Sequence, residues 1–343
     1  MAKLPRKTKY NKITSPEILE QVCRENKEIK KDFLTYLKST QHSESTVAAY
    51  ESDIDIWCAW NLKENGNKPF VDMTKRNLIA FQNWLVHDNG NSPARVKRIK
   101  STLSSMSTYI EDILDDEFPN FRNIIGKVKS PTGRLVREKT VFSETDLEGL
   151  LETLTKKGQF MQACALALAM YGGRRKSELP RFKVDWFTNE NVIYGSLYKT
   201  PEKVRTKGAG EGKFIHCYTL KNKFDPYLNR FLQWRQLKGI DSEWLLYDPN
   251  NPKEQLPVST LNSWANTFSA MLKTDFYWHS IRHFHTTYLA QSGLPDPVIQ
   301  TLIGWASADL VRLYDDTSQD EAIGKYFDEG GIKSVENASL SSL

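Results

Sequence analysis

No stretch of this 343-residue chain is apolar for the ~18–20 residues that a membrane-crossing helix needs. The basic opening MAKLPRKTKYNK has no apolar segment behind it, so it does not read as a secretory signal. Cysteine is scarce. Cys23, Cys58, Cys164 and Cys217 are scattered, form no C-x-x-C pair and have apolar neighbours. They read as buried thiols in a reducing, cytoplasmic setting, not as a disulfide framework or a metal knuckle. G-x-x-x-x-G-K-[ST] and H-E-x-x-H are both missing, which removes a P-loop and a zincin helix. There is no internal repeat and no low-complexity tract. What remains is a globular composition, 39% hydrophobic and 26% charged, at a length that suggests two domains.

The net charge of +5 conceals an asymmetry. Residues 315–343 hold seven acids against Lys325 and Lys333, so the rest of the chain carries the positive excess. Its cations cluster in NSPARVKRIK (91–100), GKVKSPTGRLVREK (126–139) and KTPEKVRTKGAGEGK (199–213). One such cluster is an ordinary solvated face. Three in separate segments point to a polyanion partner, most simply nucleic acid.

Residues 1–25 read as a flexible basic arm. Apolar spacing predicts a wholly helical domain over 26–125, with Ser45 and Thr74 as N-caps, stops at Gly66 and Gly90, and Pro93 in a first turn. Residues 126–139 break the pattern with Gly, Pro and Ser and read as a basic linker. A second domain is expected over 140–330, followed by a tail over 331–343. It opens on a capping box from Ser143 to Asp146. Next comes the buried helix QFMQACALALAMYGG, stopped at Gly172–Gly173. NVIYGSLYK and GKFIHCYTL read as strands of a hairpin or small sheet. Helices follow over DPYLNRFLQWRQLKG, 258–273, 278–292, 297–303, 307–314 and 319–328. The fold class is therefore mainly α, in two domains, with one small antiparallel sheet.

The chemistry concentrates in WHSIRHFHTTYLAQSG (278–293), which places His279, Arg282, His283 and His285 within seven positions. His279 and His283 have the i, i+4 spacing that zinc sites use, but Arg282 between them disfavours a cation. Ile281, Phe284, Tyr288 and Leu289 form an apolar stripe. That stripe does not account for His279 and Arg282, neighbours at i, i+3. A guanidinium fork beside an imidazole suits a phosphate. A second arginine stands in YGGRRKSEL (171–179), where Arg175 lies in a glycine-led turn, Ser177 can cap the next helix and Pro180 fits its first turn. Downstream, LIGWASADLVRLYDD (302–316) puts Trp305 after a helix stop and Tyr314 at the end of a short helix.

These three boxes resemble the pattern of the tyrosine recombinases, or phage integrases: G-x-R-x-S-E-L, then H-x-x-R-H, then L-x-G-[HW]-x(8)-Y. Gly173, Arg175, Ser177, Glu178 and Leu179 match the first, and His279, Arg282 and His283 the second. Leu302, Gly304, Trp305 and Tyr314 match the third. The resemblance spans about residues 25–330 and takes in the helical domain and linker, which look like the family's core-binding domain and connector. Two positions depart from it. Arg174 stands where an apolar residue is usual, and Trp305 where histidine is more frequent.

The resemblance implies a site-specific DNA recombinase of two-domain architecture. Such an enzyme integrates, excises or resolves a mobile element without metal, ATP or other cofactor. Tyr314 would attack a backbone phosphate and form a 3′-phosphotyrosyl link. Arg175 and Arg282 would hold the non-bridging oxygens. His279 would accept a proton or donate to the phosphate, Trp305 would brace it, and Glu178 and His283 would orient the others. A hairpin lysine would protonate the leaving 5′-oxygen; Lys207 is the choice, with Lys199 and Lys213 as rivals. Arg95, Lys97, Arg98, Lys100, Lys127, Lys129, Arg134, Arg137, Arg174, Lys199, Arg205 and Lys213 are the candidate DNA contacts, and Arg174 and His285 are alternatively structural. The resemblance further implies a homo-tetramer on two synapsed sites, with the segment after Tyr314 (Ser318–Glu321 box; Ile323, Tyr326, Phe327) docked on a neighbouring protomer, and in cis otherwise. Accessory bending or directionality proteins are possible partners and a membrane is not. Two alternatives share the fold and the phosphate chemistry, a type IB topoisomerase and a catalytically silent DNA-binding protein; a metal-dependent nuclease is a more distant reading.

Overall fold

The computed structural model describes residues 13–132, 140–206, 212–305 and 307, together with the backbone of 327–328 and 331–332. The chain divides into two compact units, one ending at Glu138 and the other beginning at Lys139. Lys207, Arg134, Arg137 and Tyr314 lie outside the described residues, as do the expected helix over 307–314 and most of that over 319–328.

The first unit is helical: α1 (Pro16–Glu20), α2 (Arg24–Ser39), α3 (Glu44–Glu64), α4 (Lys75–Asn83) and α5 (Pro93–Ile113). Three of these helices, α3, α4 and α5, begin where side-chain chemistry satisfies orphan N–H groups. Thr74 and Asn77 form a reciprocal capping box on α4. Ser92 accepts from the Arg95 backbone N–H at the head of α5, with Pro93 in the first turn. The cap of α3 is Ser43, two residues before the expected Ser45. Both are serines in the run HSEST, and Ser43 is the one that reaches the Thr46 N–H. The core joins Phe33, Trp57, Trp60, Phe81, Ile99, Leu103 and Ile110.

Two expected boundaries shift. Residues 16–20, placed in the arm, form α1; Leu19 packs on the core and Val22 is buried in it. The first residues of the expected linker are fastened to the unit. Lys100 Nζ donates to the Val128 carbonyl at 2.6 Å, and Gln82 Nε2 donates to that of Lys129 at 3.1 Å. One feature had no sequence signal: α4 runs into a π turn, Trp84–Asp88, before Gly90 reverses the chain at φ +64°.

The second unit surrounds α7 (Phe160–Gly172), which is buried on every side from Ala163 onward, as a helix apolar all round should be. α6 (Glu144–Lys156), α8 (Lys221–Leu237) and α10 (Trp278–Gln291) pack against it. α6 opens on the expected capping box between Ser143 and Asp146. α9 (Val258–Leu272) and α11 (Asp296–Ile303) complete the helices. β1 (Val192–Ile193), β2 (Leu197–Lys199) and β5 (Tyr218–Leu220) form an antiparallel sheet in the order β1-β2-β5. β3 (Val204–Arg205) and β4 (Phe214–Ile215) form a separate hairpin.

The expected single sheet is accompanied by a second ribbon, β6 (Tyr247–Asp248) with β7 (Asn251–Gln255). The segment NPKEQ carries Pro252 and little β-branching, so it gives no strand signal. The helix expected after Arg175 is a single 3-10 turn, Leu179–Arg181, with Glu178 rather than Ser177 at its cap position. Phe327–Asp328, the last residues of the expected C-terminal helix, instead pair as β8 with β9 (Gly331–Ile332). Among the described residues no helix is long and apolar enough to cross a membrane.

Candidate active site

The site starts where α7 stops. Gly173 ends the helix in the left-handed region at φ +62°, where a side chain is strained. The space a Cβ would take is already filled: it would lie 2.4 Å from a ring carbon of His285 on α10. His285 is buried, and its Nδ1 bonds the Met170 carbonyl at 2.7 Å. A carbonyl only accepts, so Nδ1 carries the proton. Two residues past Gly173 the chain presents Arg175. Its backbone N–H donates to Glu178 Oε2 at 3.0 Å and its Nη1 donates to Oε1 at 2.9 Å. Glu178 is 1% exposed, while the Arg175 side chain remains one-third open to solvent. A buried carboxylate thus fixes a guanidinium at the surface edge.

α10 supplies the second arginine. Trp278 anchors its start by donating Nε1–H to the Leu261 carbonyl at 2.6 Å. Ile281, Arg282, His285 and Leu289 then face inward, so Arg282 lies within the buried stripe and is 1% exposed. Its Nη1 donates to the Gly173 carbonyl at 2.8 Å and its Nη2 to the Ile303 carbonyl at 3.3 Å. Both carbonyls belong to helix C-termini, α7 and α11, whose unpaired oxygens and dipoles favour a cation. The Trp305 ring lies against the same guanidinium, 5.1 Å from Cζ to centroid. His279 and His283 project from the outer edge of α10 with their rings 5.3 Å apart and near perpendicular.

α11 ends at Gly304, at φ +78°, and releases the chain to Trp305. A Cβ on Gly304 would meet Ile215 of β4 at 2.2 Å, so the hairpin lies directly on this turn. At the hairpin's far end the Thr206 N–H and hydroxyl both donate to the Lys213 carbonyl, at 2.6 and 2.8 Å. Lys207 follows Thr206 in sequence. Lys213 and Arg205 are exposed and Lys199 is half-buried. Arg175, Glu178, His279, Arg282, His283 and Trp305 are therefore assembled on the meeting ends of α7, α10 and α11.

The charges set the protonation. Partial desolvation lowers the pKa of His279, and the neighbouring His283, Arg282 and Arg175 lower it further. The imidazole is neutral at pH 7 and can accept a proton. Burial drives the pKa of His285 down to about 3, helped by the charge of Arg174. His285 is neutral in the folded state, whereas in the unfolded chain it takes a proton below about pH 6.5. Its contribution is therefore complete above that pH and lost on acidification, at about 1.4 kcal/mol per pH unit. Denaturant midpoints of the wild type are expected to fall from pH 6.5 to pH 5 more steeply than those of His285→Asn. Parallel pH dependences would remove this assignment.

Three expected DNA contacts are engaged by partners within the protein, two of them buried. Arg174 is 1% exposed and donates to the Gly172 carbonyl, to Cys217 Sγ and to the Leu302 carbonyl, at 2.5, 3.2 and 2.5 Å. Like Arg282, it ties the ends of α7 and α11 together, which favours the structural alternative for Arg174. Lys100 is 4% exposed and is used on Gln82 Oε1 and the Val128 carbonyl. Arg95 forms an ion pair with Asp53 of α3 at 2.6 Å. Lys97, Arg98, Lys127 and Lys129 are exposed. Three of the four cysteines are buried and Cys23 is half-buried. Among the described residues no group of His, Cys, Asp or Glu is placed to hold a metal ion. Sequence reasoning missed Asp53, Cys217 as an acceptor, and the fit of Gly173 to His285. Asp53 carried a usable signal, an acid set into the apolar stripe of α3 between Val47, Ile54 and Trp57.

The catalytic-domain model described as phage integrase family matches residues 140–321, and the phage integrase N-terminal SAM-like domain matches 29–120. The chain belongs to the phage integrase family. As a tyrosine recombinase by family it is placed in site-specific recombination. Among its relatives are tyrosine recombinase XerC of Pediococcus pentosaceus, 23% identical over 87% of this chain and 96% of that one, and the TnP I resolvase of Bacillus thuringiensis, 19% identical over 85% and 96%. The integrase also shares its fold with solved structures. The XerH recombinase bound to a palindromic difH substrate has a TM-score of 0.64 at 17% identity, covering 90% of this chain and 85% of that one. A lambda integrase dimer bound to a COC' core site has a TM-score of 0.62 at 15% identity, covering 85% and 96%. The mostly helical, two-domain fold class is that of these recombinases.

Proposed function

We propose that this integrase is a DNA strand transferase, working through a 3′-phosphotyrosyl intermediate on specific sites of a mobile element. The observation that carries the proposal is the closeness of Arg175 and Arg282 to His279, whose pKa both lower, with Trp305 packed on Arg282. Two fixed guanidiniums supply the paired donors that a phosphodiester's non-bridging oxygens require. Neutral His279 takes the proton as the Tyr314 oxygen bonds to phosphorus. The bond from phosphorus to the 5′-oxygen breaks, and Lys207 protonates that oxygen. The phosphodiester energy stays in the tyrosyl link, so religation needs no nucleotide. Lys97, Lys127, Lys129, Arg205 and Lys213 supply cations for the duplex; Arg134 and Arg137 extend that set in sequence. The Tn1549 transposon integrase, a further neighbour of the same fold, solved in complex with circular intermediate DNA, supports DNA as the partner.

The domain reading is a core-binding unit, a linker over 126–139 and a catalytic domain over 140–330. The assembly proposed is a homo-tetramer on two synapsed sites in the cytoplasm. Its C-terminal segment, carrying Ile323, Tyr326 and Phe327, docks on a neighbouring protomer, and DNA-bending or directionality factors assist.

The test begins with duplexes recovered by binding selection from a randomised pool. A nicked version is incubated with protein in EDTA and run on a denaturing gel. Wild type is expected to give a covalent adduct that Tyr314→Phe does not form. Tight, sequence-specific binding with no adduct from either protein would leave a silent DNA-binding protein instead. Relaxation of plasmid lacking the recovered site would favour the topoisomerase.

A further inference from the structure

α5 of the first unit carries four cations near its head, and the structure separates their roles. Lys100 is buried and Arg95, half-buried, is paired with an acid of α3, whereas Lys97 and Arg98 are exposed. Arg98 differs from Lys97 in one respect. Its Nε lies 3.5 Å from Oδ2 of Asp53, a carboxylate on α3 that is 0% exposed. The other carboxylate oxygen pairs with Arg95 Nη1 at 2.6 Å, and the Thr102 hydroxyl donates to Oδ2 at 3.0 Å. Thus one fully buried acid gathers Arg95, Arg98 and Thr102 from a single face of α5. The Arg98 side chain is nevertheless 54% exposed.

A buried carboxylate is costly to desolvate, and an ordinary phosphate contact does not need one. Phosphates recur along the duplex and tolerate a mobile lysine. A base edge does not: the guanidinium must arrive in one orientation, and its roughly 2 kcal/mol of rotamer entropy opposes binding unless already lost. We propose that Arg98 is a sequence-reading residue directed at the O6 and N7 of a guanine in the major groove, and that Asp53, buttressed by Arg95, positions it. This rests on the DNA-binding reading above. It makes Arg98 a determinant of specificity, not one more neutraliser of phosphate.

The test uses full-length protein and the duplexes recovered by selection. Affinities are measured for the preferred duplex, for each single base-pair change and for a non-specific duplex, across a range of KCl. Arg98→Lys is expected to lose about tenfold or more in preference at one G·C pair. Its non-specific binding should change less than about threefold. Asp53→Asn should lose the same preference although Arg98 is intact. Uniform weakening of Arg98→Lys on all duplexes would make Arg98 a phosphate contact and overturn the assignment. An unchanged preference in folded Asp53→Asn would overturn the positioning role. Arg98→Lys alters only an exposed side chain and carries the test if Asp53→Asn fails to fold. If wild type enriches no sequence at all, the DNA-site reading itself falls. That outcome is separate from a preference that survives the substitutions.

Discussion

Arg282→Ala is expected to lower the rate of adduct formation on the nicked duplex by about 10²–10³-fold, the usual effect of removing one charge-stabilising donor. It should also lower stability, because Arg282 bridges two helix ends. Its removal strips the Gly173 and Ile303 carbonyls of their donor in the protein interior. Each buried group so exposed costs about 1–3 kcal/mol. Arg282→Lys does not rescue: one ammonium cannot span both carbonyls, lie against Trp305 and present a fork to phosphate. Arg175→Lys separates the two effects. Arg175 is one-third exposed, and its protein partner is Glu178, beside which a lysine still places a cation. Cleavage should fall by about 10²-fold or more with the denaturant midpoint nearly unchanged. Single-turnover cleavage beside chemical denaturation distinguishes the two arginines. Equal stability losses would show that the carbonyl clamp around Arg282 is not what holds the two helix ends together.

Much of this arrangement was legible because it depends on short spacings. The N-cap at Thr74, the capping box at Ser143, the glycine stop of α7 and the two arginine-bearing boxes each sit within a few residues, where local geometry fixes the outcome. What could not be read was the fate of cations whose partners are remote. Arg174 donates to Leu302, 128 positions away, and Lys100 to Val128. In sequence Lys100 looks like one more member of a basic cluster, and Arg174 stays open between a DNA contact and a structural role. Only the tertiary fold shows that one ties helix ends and the other fastens the segment after α5. The same holds for β7, whose NPKEQ run has no strand pattern and pairs because Tyr247 and Asp248 lie beside it.

The two left-handed glycines of the site give the sharpest contrast in cost. Gly304→Ala meets only the terminal methyl of Ile215, which can rotate away. Its cost is then mainly the positive φ, about 1–2 kcal/mol. Gly173→Ala meets the rigid imidazole of His285, whose Nδ1–H is committed to Met170 and which is buried on all sides. Backbone strain and overpacking add here, so about 2–5 kcal/mol is expected. The Gly173 carbonyl receives Arg282 and the following residues present Arg175, so a shift of this turn displaces both guanidiniums at once. Adduct formation by Gly173→Ala should therefore fall along with its denaturant midpoint. The double variant Gly173→Ala, His285→Ala tests the cause. Removing the ring opens the space for the new methyl, so the two substitutions should be less harmful together than the sum of their separate effects, by about 1–3 kcal/mol. Strict additivity would mean that φ alone, and not the ring, dictates glycine at this position.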